Sequence, residues 1–195
     1  MSIHHPPAEL LEDFAAGLAD DAQRIMLATH LHHCASCRRW VGALEQVGGA
    51  VLEGLVPSPM SADALARVRV RLAHVEPAPP SRVAPPEANG LTAFMARLEA
   101  KPWSWVAPGI QIRRVSLGEC PSRLFFLRSK AGARFIPHSH SGMELTCVLQ
   151  GGFEHDGVYF EPGDIDVGAP GIDHAIRIAP GEPCVSLVEI GRAHV

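Results

Sequence analysis

Three residues near the N-terminus have the types and the spacing of a metal site: His30, Cys34 and Cys37. On a helix, residues three or four apart share a face, so Cys37 continues the column of His30 and Cys34 if the helix runs on or breaks in a tight turn. Two thiolates and one imidazole favour tetrahedral zinc. A closed structural site needs a fourth ligand, which His4 or His5 can supply because an N-terminal arm can fold back across a helical hairpin.

A second set of ligand types lies in the C-terminal half, at His138, His140 and Glu144. Their numbers share even parity, so a regular β-strand would project all three to one side. A later segment, Pro170-Gly171-x2-His174, supplies a turn and a third histidine. Three nitrogens and one carboxylate oxygen suit zinc, manganese, iron, nickel or copper. Two metal sites of different chemistry on one short chain point to a sensor or regulator before an ordinary enzyme.

The elements that must position these ligands differ on the two sides of a proline-rich segment. Upstream of it, apolar residues recur at steps of three and four, which predicts helices; downstream, short apolar runs bounded by Gly, Pro and Asp predict strands. We therefore expect an all-α module at 1–75, a semi-rigid linker at 76–90 that isolates the modules, and an all-β module at 91–195. A short helical segment, 91–99, is expected between linker and sheet.

The last helix before the linker is predicted to be amphipathic. Ser61 can cap this helix, and four apolar positions form one stripe along it, while arginines occupy the rest. The stripe comprises Leu65, Val68, Leu72 and Val75. Such a stripe needs a covering surface, which is either the helical module itself or the groove of a protein partner.

Composition excludes several classes of function. The 195 residues carry a formal net charge of -4 and are only 19% charged, so direct binding to nucleic acid or to an anionic membrane is not expected. The segment 1–20 is acidic and broken by Pro6 and Pro7, unlike a signal peptide or a membrane span. Five cysteines are an odd number for a disulfide framework, and Cys34 and Cys37 sit beside histidines. A cytoplasmic, reducing location is expected.

The first cluster and its surroundings resemble the zinc-binding domain of the ChrR-like anti-sigma proteins. The likeness rests on a double His followed by LLEDFAAG and on ATHLHHCASCRRWVGALEQVGGA, and it spans about 1–75. It implies that His5, rather than His4, joins His30, Cys34 and Cys37 in a zinc site. It also implies that the helical module wraps an extracytoplasmic-function sigma factor, so that the sigma factor cannot join core RNA polymerase.

The second cluster resembles the two motifs of the cupin barrel, a double-stranded β-helix or jelly roll. The stretch from Gly132 to Gly151 matches the first motif at every position, whereas the second motif, which contains His174, has Ile178 where asparagine is usual. The likeness to ChrR-like proteins continues through PWSWVAPGIQIRRVSL and HSGMELTCVLQGGF, and so covers nearly the whole chain. It implies a cupin site for zinc or another divalent transition metal, and a response to singlet oxygen or related oxidants.

The chain is thus expected to be a multidomain protein, a small helical zinc-binding bundle followed by a cupin barrel. Its expected function is zinc-dependent inhibition of a sigma factor, released under oxidative stress through the barrel, with no catalytic residue assigned. The alternative is a metal-dependent cupin oxygenase, isomerase or hydrolase that uses the zinc module as a docking arm. The barrel motifs show no further acid/base group beyond the ligands, although Arg123, Arg128 or Arg134 could bind a substrate or other small molecule.

Overall fold

The computed structural model describes residues 4–74 and 96–191 and divides them into a helical part followed by a β part. The predicted order of an all-α module and an all-β module is confirmed. The linker predicted at 76–90 lies outside the described residues, as does most of the helical segment predicted at 91–99. Among the residues described, every helix is too short or too polar to cross a bilayer. The helices are α1 (Ala8–Ala16), α2 (Asp21–His33), α3 (Ala35–Glu53) and α4 (Ala64–Ala73).

Sharp local signals delimit the first three helices. Gly17 ends α1 in the left-handed region at φ 73°, where a residue without Cβ is not strained. Asp20 starts α2 in a capping box, accepting a hydrogen bond from the Gln23 backbone N–H at 2.9 Å while the Gln23 side chain accepts from the Asp20 N–H. Cys34, in extended backbone, ends α2 and caps α3. The turn of the helical hairpin therefore lies at Cys34, one of the predicted metal ligands.

In residues 4–74 and 96–191, nine strands form two antiparallel sheets. The strands are β1 (Ser104–Ala107), β2 (Ile110–Arg114), β3 (Arg123–Ser129), β4 (Glu144–Gln150), β5 (Phe153–His155), β6 (Val158–Phe160), β7 (Ile165–Gly168), β8 (Ile176–Ile178) and β9 (Cys184–Ile190). The larger sheet has the order β1-β2-β3-β9-β4-β7 and the smaller one β6-β5-β8, so β7 is an edge strand. Apolar side chains from both sheets, including Val148, Phe153 and Ile178, close the barrel core.

The helices pack against the outer face of the larger sheet. Met26 and Leu27 of α2 are fully buried, in one apolar cluster with Leu145, Cys147 and Leu187 of the sheet. Each such side chain contributes about 1.5–3 kcal/mol when it is removed from water. The two modules are therefore not isolated, contrary to the expectation from the linker, because the helices and the sheet share a core that composition alone does not reveal.

Helix α4 does not take part in this core. None of its ten residues, all of which the structure describes, is buried, and the predicted stripe is 50–67% exposed at Leu65, Val68 and Leu72. The predicted cap at Ser61 is wrong: α4 begins after Asp63, and Ser61 Oγ instead accepts a hydrogen bond from the Arg67 guanidinium.

Candidate metal centres

The first centre brings together one ligand atom each from His5, His30, Cys34 and Cys37, all within 4.8 Å of one another. His5 Nδ1 lies 3.4 Å from both sulfurs, and His30 Nε2 lies 3.3 Å from Cys37 Sγ. Tetrahedral zinc, with its ordinary bond lengths, requires nitrogen–sulfur separations of about 3.6 Å. Two nitrogens and two sulfurs at these distances therefore fit a closed zinc site.

The break between α2 and α3 creates the sulfur half of this centre. Since Cys34 leaves the helical conformation, its Sγ turns back and accepts a hydrogen bond from the Cys37 N–H at 3.4 Å. The tight-turn alternative for the Cys-x2-Cys column is the one observed. Burial, followed by the neighbouring Cys34, raises the pKa of the Cys37 thiol to about 11. Burial also acts to raise the pKa of Cys34, but hydrogen bonds from Ser36 and Cys37 outweigh it, and the net shift is downward.

The nitrogen half is held from the barrel side. The Nδ1 of His30 lies 2.7 Å from the carbonyl oxygen of Gly163, which can only accept, so Nδ1 carries the proton and Nε2 faces the sulfurs. Burial lowers the pKa of His30 and keeps the imidazole in the neutral form that ligates metals. Of the two N-terminal histidines left open, His5 joins the cluster, whereas the His4 ring packs at a tilt against Phe160 with ring centroids 4.6 Å apart.

The second centre lies inside the barrel and contains His138, His140, Glu144 and His174. His140 Nε2 is 2.7 Å from Glu144 Oε2, and His174 Nε2 is 3.2 Å from His138 Nε2 and 3.9 Å from Glu144 Oε2. Thr146 Oγ1 donates a hydrogen bond to the other carboxylate oxygen of Glu144, which orients that side chain. Three imidazoles and one carboxylate in this arrangement suit a divalent transition metal.

The backbone that carries these ligands is less regular than the sequence predicts. Strand β4 begins only at Glu144, so the prediction of one strand for all three residues of the first motif is wrong. His138 instead forms an isolated bridge with His174, with two backbone hydrogen bonds of 3.1 and 2.9 Å. Pro137, which has no N–H to donate, precedes it and limits the ladder at this point. The four ligands converge although three of them, His138, His140 and His174, lie outside regular strands.

A further pair of titratable groups, missed by the sequence analysis, adjoins the second centre. His155 Nδ1 lies 2.7 Å from Asp166 Oδ2, and the His155 ring centroid is 5.5 Å from that of His174. The prediction of no further acid/base group concerned only the motif strands, and His155 lies on β5, outside both motifs. The sequence did contain a signal for Asp166, since the Pro-Gly turn at 162–163 precedes β7. Asp166 and Gly168 lie two residues apart on that strand and so share a face, and Gly168 closely approaches His174.

The candidate substrate arginines are not gathered at this centre. The Arg128 guanidinium lies 5.1 Å above the Trp103 ring, a cation–π contact. Arg134 lines a surface cavity of about 370 Å³ together with Glu154 and Arg177. Arg123 is an exposed residue of β3.

Comparison with known proteins relates both modules to one family. The family model for the ChrR cupin-like domain matches residues 92–194. Anti-sigma-E factor ChrR of Cereibacter sphaeroides is 34% identical over 189 residues, which cover 94% of this chain and 87% of the relative. The chain belongs to the ChrR family. Because the alignment includes the helical module as well as the barrel, the resemblance noted in the sequence is confirmed.

A solved structure supports membership of the ChrR family at the level of the whole fold. The crystal structure of Rhodobacter sphaeroides SigE in complex with the anti-sigma ChrR contains a chain that matches this one with a TM-score of 0.81 and 31% identity. The match covers 97% of this chain and 100% of that one. The cupin assignment and the arrangement of helices before the barrel are thus properties that this chain shares with a ChrR protein.

Proposed function

We propose that this protein is a cytoplasmic, zinc-dependent anti-sigma factor that sequesters an extracytoplasmic-function sigma factor. The observation that carries the proposal is the near full-length match to a ChrR chain whose solved structure is a complex with the sigma factor SigE. We assign the two modules separate tasks: the helices hold the sigma factor, and the barrel governs its release. Neither nucleic acid nor a membrane is a direct partner in this proposal.

The exposed apolar side chains of the helices support a protein partner. The end of α3 and the chain beyond it expose Leu52, Leu55 and Met60 by 61–83%, and α4 exposes its stripe. Isolated exposed leucines are ordinary, but a run along two successive helices is typical of a surface that another protein covers. The stripe of α4, whose own module leaves it uncovered, fits the groove of a partner better than an intramolecular position.

Zinc is the metal we propose for the first centre, because a two-nitrogen, two-sulfur set matches closed structural zinc sites. Bound there, the ion would join the N-terminal arm to the turn of the helical hairpin and contribute folding free energy. For the second centre we propose zinc or another divalent transition metal. The response to oxidants, singlet oxygen among them, is proposed from the family resemblance, with the barrel as the responding module.

The first experiment tests the partner and the first metal together. The chain is expressed with extracytoplasmic-function sigma factors from its own source, and co-purification and zinc content are measured for the unsubstituted chain and for Cys37→Ser. Loss of a thiolate should lower both zinc content and sigma-factor affinity, whereas Cys184→Ser, a buried thiol outside both clusters, should change neither. A Cys37→Ser chain that binds the sigma factor with full affinity would make the metal incidental, and failure of the unsubstituted chain to bind would refute the proposal.

A second experiment concerns the barrel. Glu144→Ala should remove one equivalent of metal, leave repression intact in unstressed cells and weaken induction by oxidant, because Glu144 belongs to the second cluster, on the barrel strand β4, and not to the first. Constitutive loss of repression would instead tie the second centre to the inhibitory fold.

The His155–Asp166 pair beside His174 favours one competing function, a metal-dependent cupin enzyme. Normal induction in Glu144→Ala together with turnover of a small molecule that is lost in His155→Gln would support that enzyme. Its helical module would then be a docking arm.

A further inference from the structure

The four ligands of the first centre have their supports in different modules. Both sulfurs belong to the turn between α2 and α3. Within that turn, the Cys37 N–H donates a hydrogen bond to Cys34 Sγ. The His30 imidazole and the backbone of His4, the neighbour of His5, bond to a three-residue segment of the barrel, Gly163–Ile165, which comprises the end of the turn after β6 and the first residue of the edge strand β7. The centre therefore straddles the contact between helices and barrel.

His30 is tied to this segment directly. Its side chain is fully buried, and its Nδ1–H donates to the Gly163 carbonyl oxygen at 2.7 Å. A hydrogen bond of this kind fixes both the tautomer and the orientation of a metal-ligating imidazole, and its loss typically lowers metal affinity 10–100-fold. Here the acceptor lies 133 residues away in the chain, on the other module.

His5 is tied to the same segment through its neighbour. The His4 N–H donates to Asp164 Oδ1, and the His4 carbonyl accepts from the Ile165 N–H, both at 3.2 Å. One of these bonds joins backbone to backbone and the other reaches a side chain, and together they anchor the N-terminal arm at the start of the edge strand β7. Since consecutive Cα atoms are about 3.8 Å apart, an anchored His4 leaves the next residue little freedom to withdraw from the sulfurs.

We propose that Gly163–Ile165 of the barrel is the outer coordination shell of the first metal centre, so that metal affinity there depends on docking of the barrel against α2. This inference rests on the proposed binding of a metal by His5, His30, Cys34 and Cys37. Strand β7 continues from this segment to Gly168, whose Cα lies so close to the second centre that a Cβ there would meet the His174 ring at 3.1 Å. One short edge strand thus contacts both centres and gives the barrel a physical route to the ligands of the first.

The test uses a steric wedge at Gly163 in the full-length chain. A Cβ at this position would lie 2.6 Å from His33 Cβ of α2, so Gly163→Ala forces α2 away from the segment that holds His30. Gly181→Ala is the matched control, because Gly181 has a similar backbone, φ 106° against 96°, and its added Cβ would meet nothing within 4 Å. Both variants place alanine at a positive φ, but only Gly163→Ala adds a Cβ that clashes with α2.

Cobalt(II) reports the first centre selectively, since thiolate-to-cobalt charge transfer requires sulfur ligands and the second centre offers none. Affinity is measured from this absorption in competition with a chelator, beside a thermal melt of each variant. Gly163→Ala should bind at least about tenfold more weakly than Gly181→Ala. Adding His33→Gly, which removes the opposing Cβ, should restore most of the loss. Equal affinities in the two folded alanine variants would overturn the inference.

A second pair of variants covers the case in which Gly163→Ala does not fold. His4→Ala and His4→Pro both remove the imidazole that packs against Phe160, but only proline also removes the backbone N–H that donates to Asp164 Oδ1. Weaker cobalt binding in His4→Pro than in His4→Ala supports the inference, and equal binding contradicts it. If the unsubstituted chain showed no thiolate-to-cobalt band at all, the proposed metal centre itself would fail, which is a distinct result.

Discussion

Glu189 places a carboxyl group in the contact between the modules with only 1% of its surface exposed. Burial raises its pKa to about 7, a hydrogen bond with Ser122 partly opposes this shift, and the charges of Asp20 and Glu144 add to it. Ser122 also donates to Asp20, the residue that caps α2. At neutral pH this buried group is therefore close to its midpoint, beside the first turn of the helix that carries His30.

The first prediction follows from this pKa. Because the folded pKa of Glu189 exceeds its ordinary value of 4.5, the folded protein holds an extra proton between pH 4.5 and about 7, and stability falls as the pH rises through that window. The full shift corresponds to roughly 3 kcal/mol. Glu189→Gln cannot titrate, so the metal-free variant should lose less stability than the unsubstituted protein between pH 5 and pH 8.

Urea unfolding of both proteins at the two pH values measures this difference. Glu182→Gln, an exposed carboxyl in the turn before β9, is the control and should behave like the unsubstituted protein. The same loss of stability in Glu189→Gln as in the control would contradict the prediction.

At the scale of residues, spacing revealed the ligands but not their supports. The His-Cys-Cys column and the His-His-Glu motif follow from local geometry, since each spans less than two turns of helix or a few residues of extended chain. The partners of these ligands come from distant parts of the chain. The carbonyl of Gly163 and the carboxylate of Asp166 face a histidine only after strand register is set, and register between strands leaves no local pattern to read.

At the scale of elements, α4 is the feature whose role is clearest. Its apolar stripe is exposed, so replacing it should leave the fold of this chain intact and weaken binding to the proposed partner. For the double variant Leu65→Gln and Leu72→Gln, we expect an unchanged melting temperature within about 1 °C and a sigma-factor affinity lower by tenfold or more, as for the loss of two interface anchors.

The arginine face of the same helix offers the control, and Arg69→Gln should have a much smaller effect on affinity. Isothermal titration with the purified sigma factor compares the variants. An affinity in the leucine variant equal to that of the unsubstituted chain would remove α4 from the interface.

The kinds of elements were predictable, while their boundaries depended on tertiary partners. The apolar period of three to four and the short apolar runs bounded by turn residues separated helices from strands correctly, because both patterns are local in the sequence. Ser61 does not cap α4, because the helix begins at Ala64 and Asp63 is the residue that precedes it. Strand β4 begins at Glu144, since Pro137 and the bend at 141–142 interrupt the pairing before it.

At the scale of the whole molecule, the shared core changes what a separated helical module should do. A fragment of residues 1–75 would expose Met26 and Leu27 and lose the Gly163 acceptor for His30. We expect this fragment to retain the sulfur pair and the surface of α4, and so to bind the sigma factor, but to release its metal to a chelator at least tenfold faster than the full chain.

Chelator-release kinetics and circular dichroism of the fragment and of the full chain provide this comparison. The full chain carrying Gly181→Ala, whose added Cβ would meet nothing within 4 Å, shows the effect of an unrelated change. A folded fragment that held its metal as long as the full chain would mean that the barrel contributes nothing to the first centre.

The long sequence separation of these contacts also sets an order of events during synthesis of the protein. The His4 N–H and the Asp164 carboxylate that accepts from it are 160 residues apart. A ribosome that adds about 5–20 residues per second needs roughly 8–32 s to make the intervening chain. Throughout that time the helices and their two thiols are already made, but β7, to which the N-terminal arm bonds, is not. The N-terminal centre is thus begun first and finished last, when the barrel at the other end of the chain has emerged.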